Sequence, residues 1–220
     1  MKIVVYYLKT GTNVPFCVII DSPIKRRRGE TVMQIMKDYE IHTETMVLLP
    51  CFDRYANLHT IVIEEQSYFL VAMPPKKVID ASCRYYGSSY EGRLEGIKRV
   101  MGISKKAPIA ISAELSIFFF PLESPNNHSC VWLSHTHIEE IRPLDNRNTV
   151  ILFTNGQAFT VPVPKGQIET KILRTAQYRH LLKNRIEVGK RQHHVYQLQK
   201  EDVQFVYDPV KQAYHIKKHE

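Results

Sequence analysis

The chain has 220 residues, of which 44% are hydrophobic and 24% charged, and these fractions exclude a disordered or fibrous protein. No apolar run approaches the roughly 18 residues that a membrane helix needs. The net charge of +8, with a pI near 9.3, points to a polyanionic partner, most often nucleic acid.

Residues 3–8 and 14–20 read as two strands around Thr10-Gly11-Thr12-Asn13, and the first is too short for a signal-peptide core. A basic run follows, Lys25-Arg26-Arg27-Arg28-Gly29-Glu30. Lys, Arg, Gly and Glu can all be encoded by A/G-only codons, so this run just before Met33 resembles a translated ribosome-binding site. The expectation is a natural start at Met33 or Met36, with residues 1–32 a non-native extension. Residues 60–63 and 68–73 form a hairpin pattern that Pro74-Pro75 stops. Residues 89–101 suit a helix, with capping-box spacing at Ser88 and Glu91 and a C-terminal Gly102. Residues 108–111 and 117–120 predict a second hairpin, and 131–138 a strand. Residues 150–154 and 157–163 flank Asn155-Gly156, the pair favoured in a type I′ turn. Pro162 and Pro164 close that hairpin, and residues 168–187 have helix-favouring composition. The fold class is therefore α+β: a strand-rich single domain of antiparallel hairpins over 33–188, with two main helices and a loosely attached segment at 189–220.

On the helix at 89–101, Tyr90, Leu94, Ile97 and Met101 share one face and are core positions. Gly92 and Gly96 lie roughly opposite. Each costs a helix about 1 kcal/mol, which calls for close backbone approach to another helix, a strand or a nucleic-acid backbone. Cys17, Cys51, Cys83 and Cys130 form no C-x-x-C pair and read as reduced cytosolic thiols, with Cys83 and Cys130 small buried residues. Gly87-x4-Gly92 is followed by Arg93-Leu94, so it lacks the lysine and hydroxyl of a P-loop. Cys83, Cys130, His135 and His137 could ligate zinc, but Cys-x4-His-x-His is not a structural-zinc spacing. Cys130 and His135 as nucleophile and base lack a supporting acid or oxyanion motif. No enzyme activity, metal or cofactor is expected.

Several ordered motifs carry a resemblance. They are Tyr39-Glu40-Ile41, Ser82-Cys83-Arg84-Tyr85-Tyr86-Gly87-Ser88-Ser89-Tyr90-Glu91-Gly92-Arg93 and Lys106-Ala107-Pro108-Ile109-Ala110-Ile111. Cys130-Val131-Trp132-Leu133-Ser134-His135-Thr136-His137, Leu152-Phe153-Thr154-Asn155-Gly156 and Leu173-Arg174-Thr175-Ala176 continue it. Over about residues 39–186 the chain resembles the ComK family, the competence transcription factors of Gram-positive bacteria. The resemblance implies a cytoplasmic, nucleoid-associated activator of DNA-uptake genes. It would bind paired A/T-rich boxes through the minor groove, as dimers that assemble into a tetramer, and assist RNA polymerase. The alternative is a non-activating nucleic-acid-binding or protein-interaction paralogue of the same fold.

The narrow minor groove of A-tracts is strongly negative and draws in Arg or Lys. On charge and local structure, the candidate DNA-binding residues are Arg84, Arg93, Lys98, Arg99, Lys105 and Lys106, with Lys171, Arg174 and Arg179 next. Family members end in an aromatic–proline–lysine segment captured by a MecA-like adaptor of the Clp protease. Here Phe205, Val206, Tyr207, Pro209 and Lys211 look similar, though Asp208 and Val210 intervene. On an extended backbone Phe205, Tyr207, Pro209 and Lys211 would share one face.

Overall fold

The computed structural model describes residues 34–53, 55–198 and 203–218. The two strands expected at 3–8 and 14–20, the basic run after them and Met33 lie outside the described residues. The chain divides into two units, residues 1–180 and 181–220.

The first unit is built on a seven-stranded sheet. Its strands are β1 (Gln34–Met36), β2 (Thr45–Phe52), β3 (Leu58–Glu64), β4 (Tyr68–Val71), β5 (Ile109–Ser112), β6 (Ile117–Pro121) and β7 (Trp132–Ser134). They lie in the order β1-β4-β3-β2-β7-β6-β5, and all neighbours are antiparallel except β1 and β4. Two helices, α1 (Pro75–Tyr85) and α2 (Tyr90–Met101), supply Val78, Ile79, Cys83 and Tyr90 to a core with Leu48, Val62, Phe119 and Trp132. A three-stranded sheet, β8 (Ile138–Pro143), β9 (Thr149–Phe153) and β10 (Ala158–Val161), and helix α3 (Lys165–Leu198) supply a second core. There Ile151, Phe153, Val161 and Ile168 meet Met46, Val47, Leu49 and Leu133. Successive residues of β2 thus serve opposite cores, Leu48 one and Val47 and Leu49 the other, so the strand is apolar throughout and shows no alternation. Pro50 is tolerated because β7 pairs with β2 only at Val47 and Leu48.

The α+β, strand-rich fold class holds, with differences in detail. Pro74-Pro75 does stop the β4 strand, but Pro75 also opens α1, a helix that adds to the two expected. Proline is pre-set for the first helical turn, where its missing N–H costs nothing. In α2 the cap is Ser89, one residue after the expected Ser88. Its Oγ accepts from Gly92 N at 3.0 Å, and Asp80 Oδ1 accepts from Tyr90 N at 2.9 Å. Gly102 ends the helix at φ +69°. Tyr90 and Ile97 are buried as expected; Leu94 and Met101 are half-buried. The close approach expected at Gly96 is absent, since a Cβ there would meet only the Tyr178 hydroxyl at an ordinary 3.9 Å. At Gly92 it would crowd Ser88 Oγ at 3.1 Å.

The single strand expected over 131–138 is two. The chain leaves the large sheet after Ser134 and enters the small one at Ile138, and His135–His137 form the turn between. His135 and His137 therefore do not share a strand face. The hairpin at Asn155-Gly156 forms, but not with a type I′ turn. Only Gly156 has positive φ (+81°), and Gly156 N donates to Phe153 O while Phe153 N donates to Gln157 O. That is a three-residue connection with a glycine bulge. Helix α3 starts three residues earlier than expected and runs on to Leu198.

The β2–β3 turn is organised by Asp53. Its carboxylate accepts from Tyr55 N (2.9 Å), Asn57 N (2.7 Å), Asn57 Nδ2 (2.9 Å) and His59 Nε2 (3.1 Å). Burial pushes its pKa up, but the bonds from Asn57, His59 and Tyr55 outweigh it and hold the group at about 2. A depressed folded pKa gives stability that is complete above the unfolded value and lost as pH falls through the folded one. Urea melts should therefore show wild type losing stability between about pH 4 and about pH 2, with a shallower loss in Asp53→Asn. Equal acid limbs would refute this assignment.

The second unit carries a hairpin, β11 (Val203–Asp208) with β12 (Ala213–Lys218), in register from Val203 opposite Lys218 to Asp208 opposite Ala213. The extended backbone ends at Asp208, whose Oδ1 accepts from Val210 N and Lys211 N. Pro209 and Lys211 lie in the turn and do not continue the face of Phe205 and Tyr207, contrary to the sequence expectation.

Candidate nucleic-acid interface

Ile168, Thr175 and Tyr178 seat the first half of α3 against the body, so Arg174, between them in sequence but not on that face, is exposed. Lys171 is half-buried and its Nζ donates to Pro121 O at 2.7 Å. Burial, then the neighbouring charge of Lys106 and of Arg174, lowers its pKa to about 8. Lys106 lies in the α2–β5 loop at φ +51°, exposed beside the exposed Lys105. The fold thus brings Lys106, Lys171 and Arg174 together from distant points in the sequence. Their charges also act on the buried Cys130 thiol, in the case of Lys171 and Lys106.

The other sequence candidates divide. Lys98 and Arg99 are exposed in the last turn of α2, where cations complement the helix dipole. Arg84 is exposed and pairs with Asp80 at 2.9 Å on its own helix. Arg179 is half-buried and its charge reaches His135. Arg93 is not a free cation: its Nη2 donates to Tyr86 O (3.2 Å) and Ile111 O (3.1 Å), tying the end of α1 to β5, and its Nε is buried.

Two cations escaped the sequence reading. Lys76 and Lys77 stand in the first turn of α1, beside a cleft of about 410 Å³ whose walls include Tyr90, Asn126, His128 and Cys130. Lys76 Nζ donates to Asn126 Oδ1 at 2.9 Å and lies 5.3 Å from the centre of the Tyr90 ring. Cys130 borders this cleft and also feels Lys106 and Lys171. The two lysine groups therefore flank one loop, residues 122–131. A helix at 75–85 was the missing signal, since the proline pair was read only as a stop.

Burial pushes Cys130 up to about 11 and Cys83 up to about 12, and Cys130 Sγ is bonded to the Glu123 and Val131 carbonyls. Among the described residues no three His, Cys, Asp or Glu side chains are placed to share a metal ion. His137 Nδ1 is instead held by Ser134 Oγ at 2.8 Å, and its Nε2 lies 3.4 Å from Glu65. No helix among the described residues is long and apolar enough to cross a membrane.

A family model described as "ComK protein" matches residues 36–187. A protein of Bacillus subtilis (strain 168) named "Competence transcription factor" is 33% identical over 175 residues, which is 79% of this chain and 91% of that protein. No solved structure matches the chain.

Proposed function

The chain belongs to the ComK family, and from that premise we propose that it is a DNA-binding transcriptional activator of competence genes. It acts without catalysis, in the cytoplasm on the nucleoid. Residues about 33–188 form the DNA-binding unit, which binds paired A/T-rich boxes through the minor groove as a dimer or tetramer and assists RNA polymerase. The observation that carries this reading is the convergence of Lys106, Lys171 and Arg174, next to Lys105, on one surface of the body. Clustered cations release condensed counterions from a duplex, which supplies affinity, and insertion into a narrow A-tract groove supplies preference. Lys76 and Lys77 extend the basic surface around the 122–131 loop.

Gel shifts on paired A/T boxes and on a scrambled duplex, each at several salt concentrations, test the proposal. Preference for the boxes that persists as salt rises is the expected result. Equal affinity for both duplexes at every salt concentration would replace it with the non-activating paralogue.

The C-terminal hairpin is the proposed adaptor segment, with Phe205, Val206 and Tyr207 on β11 and Pro209 and Lys211 in its turn. Among the described residues β11 pairs with β12 alone, so deleting residues 202–220 removes both strands together. That truncation should lengthen the protein's lifetime in cells and leave DNA binding in vitro intact. A truncated protein that neither binds DNA nor survives longer would refute the assignment.

A further inference from the structure

The cleft of about 410 Å³ beside α1 leaves three groups on its walls unmet. The first is the start of the helix itself. The opening turn of a helix has N–H groups without intrahelical partners. In α1, Pro74 and Pro75 have no N–H, and Lys77 N and Val78 N donate back to Pro74 O at 2.9 and 3.1 Å. That leaves Lys76 N without a backbone acceptor among the described residues. Pro74 provides no side-chain cap, and the turn carries no acid but two lysines, Lys76 and Lys77. Ammonium groups at the positive end of a helix dipole are unfavourable, and an anion seated there satisfies dipole and lysines together. Lys76 is already held at the cleft, its Nζ 2.9 Å from Asn126 Oδ1 and 5.3 Å from the centre of the buried Tyr90 ring.

The second is Trp132. It is fully buried and lines the same cleft, and its Nε1 has no hydrogen-bond acceptor. A buried donor left unpaired is costly, so an occupant that presents an acceptor gains what the empty site forgoes. The third is Glu91, exposed on the wall and without a side-chain partner among the described residues. The other carboxylate, Asp80, is committed: it accepts from Tyr90 N and from Arg84 Nε, both at 2.9 Å. Leu58, Pro74 and Pro125 supply apolar surface between these groups. The volume falls in the range of pockets that hold small organic ligands, roughly 300–1,000 Å³.

We propose that this cleft binds a nucleoside monophosphate whose base carries an exocyclic amine. The phosphate lies at the start of α1, where Lys76 N donates to it and the Lys76 and Lys77 ammoniums match its charge. The exocyclic amine donates to Glu91. A ring nitrogen or carbonyl of the base accepts from Trp132 Nε1, and its flat faces cover the leucine and prolines. A DNA strand fits less well, because it carries a further phosphate past the Glu91 and Asp80 carboxylates for every nucleotide. A mononucleotide bears its charge at one end only. The inference uses none of the cations at Lys105, Lys106 and Arg174 and stands independently of the DNA-binding reading.

Trp132 is the chain's only tryptophan, so its fluorescence reports on this cleft. The full-length protein is titrated with AMP, UMP, adenosine and inorganic phosphate, and equilibrium dialysis of labelled AMP gives affinities that do not depend on a fluorescence change. Saturable binding of AMP is expected, with UMP, adenosine and inorganic phosphate each weaker by about tenfold or more. Lys76→Gln and Lys77→Gln should each weaken AMP by about tenfold. Arg147→Gln removes an exposed charge elsewhere and should leave AMP binding unchanged. Glu91→Ala should lower AMP to the affinity of UMP. Circular dichroism of the variants, unchanged from wild type, separates these losses from unfolding. Absence of AMP binding by dialysis up to about 1 mM would overturn the proposal. Inorganic phosphate binding as tightly as AMP would reduce the cleft to a bare anion seat and overturn the nucleotide. Displacement of AMP by stoichiometric duplex DNA would overturn the free ligand and give the cleft to a DNA backbone.

Discussion

Arg93→Ala should lower the stability of the fold by about 3 kcal/mol, because two half-buried carbonyls lose their donor and a void opens beneath the α1–α2 turn. The guanidinium joins three elements at once. It projects from α2, reaches Tyr86 O at the end of α1, and reaches Ile111 O on β5. Each acceptor left dry costs about 1–3 kcal/mol, offset in part by water entering the space. Lysine should rescue in part, since both bonds come from the one nitrogen Nη2 and an ammonium carries three donors, although its shorter stem leaves it less well placed. Arg99→Ala, on the exposed side of the same helix, should change stability by less than about 0.5 kcal/mol. Denaturant melts of the three single variants measure this directly. If Arg93→Ala unfolds at the wild-type midpoint, the bridge contributes nothing and Arg93 returns to the list of free surface cations. A double Arg93/Arg99 alanine variant, attractive from charge alone, would confound folding with DNA contact.

The same residue shows where sequence reading reaches its limit. Arg93 and Arg99 are both basic positions on one amphipathic helix, and nothing in the local pattern says that one faces two backbone carbonyls 7 and 18 residues away in sequence. Elements bounded by clear turn or cap residues were legible whatever their burial: β3 with β4, the wholly buried β5 with β6, β9 with β10, and α2. Elements without such boundaries were not. The β2 run from Thr45 to Phe52 is apolar throughout and holds a proline, so neither alternation nor composition marks it as a central strand. Helix α1 was hidden by the proline that starts it. The turn at His135–His137 was hidden because the chain changes sheets there without a glycine or proline to punctuate the switch. The site divides along the same line. Charge density along the chain picked out Lys105, Lys106, Lys171 and Arg174 separately, but only the packing of α3 beside β6 places Lys171 near Lys106. Lys76 and Lys77 could not be weighed until α1 put them in its first turn.

Lys105→Gln, Lys106→Gln and Arg174→Gln in one variant should weaken binding to duplex DNA by about 10- to 100-fold near 0.1 M salt and flatten the salt dependence. Each phosphate contact contributes about 0.9 to the slope of log affinity against log salt, so three lost contacts should reduce it by roughly 2–3. Glutamine keeps the length and polarity of the side chains, and at Lys106 it meets the same backbone strain at φ +51° that lysine does. All three positions are exposed, so the melting midpoint should hold within about 0.5 kcal/mol of wild type. Arg142 and Arg147 provide a control that removes two charges against three, so the two variants are compared per charge removed. They are exposed on and after β8, with Arg142 spent on Glu140, and their replacement by glutamine removes positive charge from another part of the surface. General electrostatic attraction falls with net charge wherever the charge is removed, whereas phosphate contact falls only where the strand lies. The deciding quantity is the difference between the two variants in slope per charge removed, not the loss of affinity alone. If the Arg142/Arg147 variant flattens the salt dependence as much as the Lys105/Lys106/Arg174 variant does, the duplex does not lie along α3 and the α2–β5 loop. A large change confined to the Lys105/Lys106/Arg174 variant places it there.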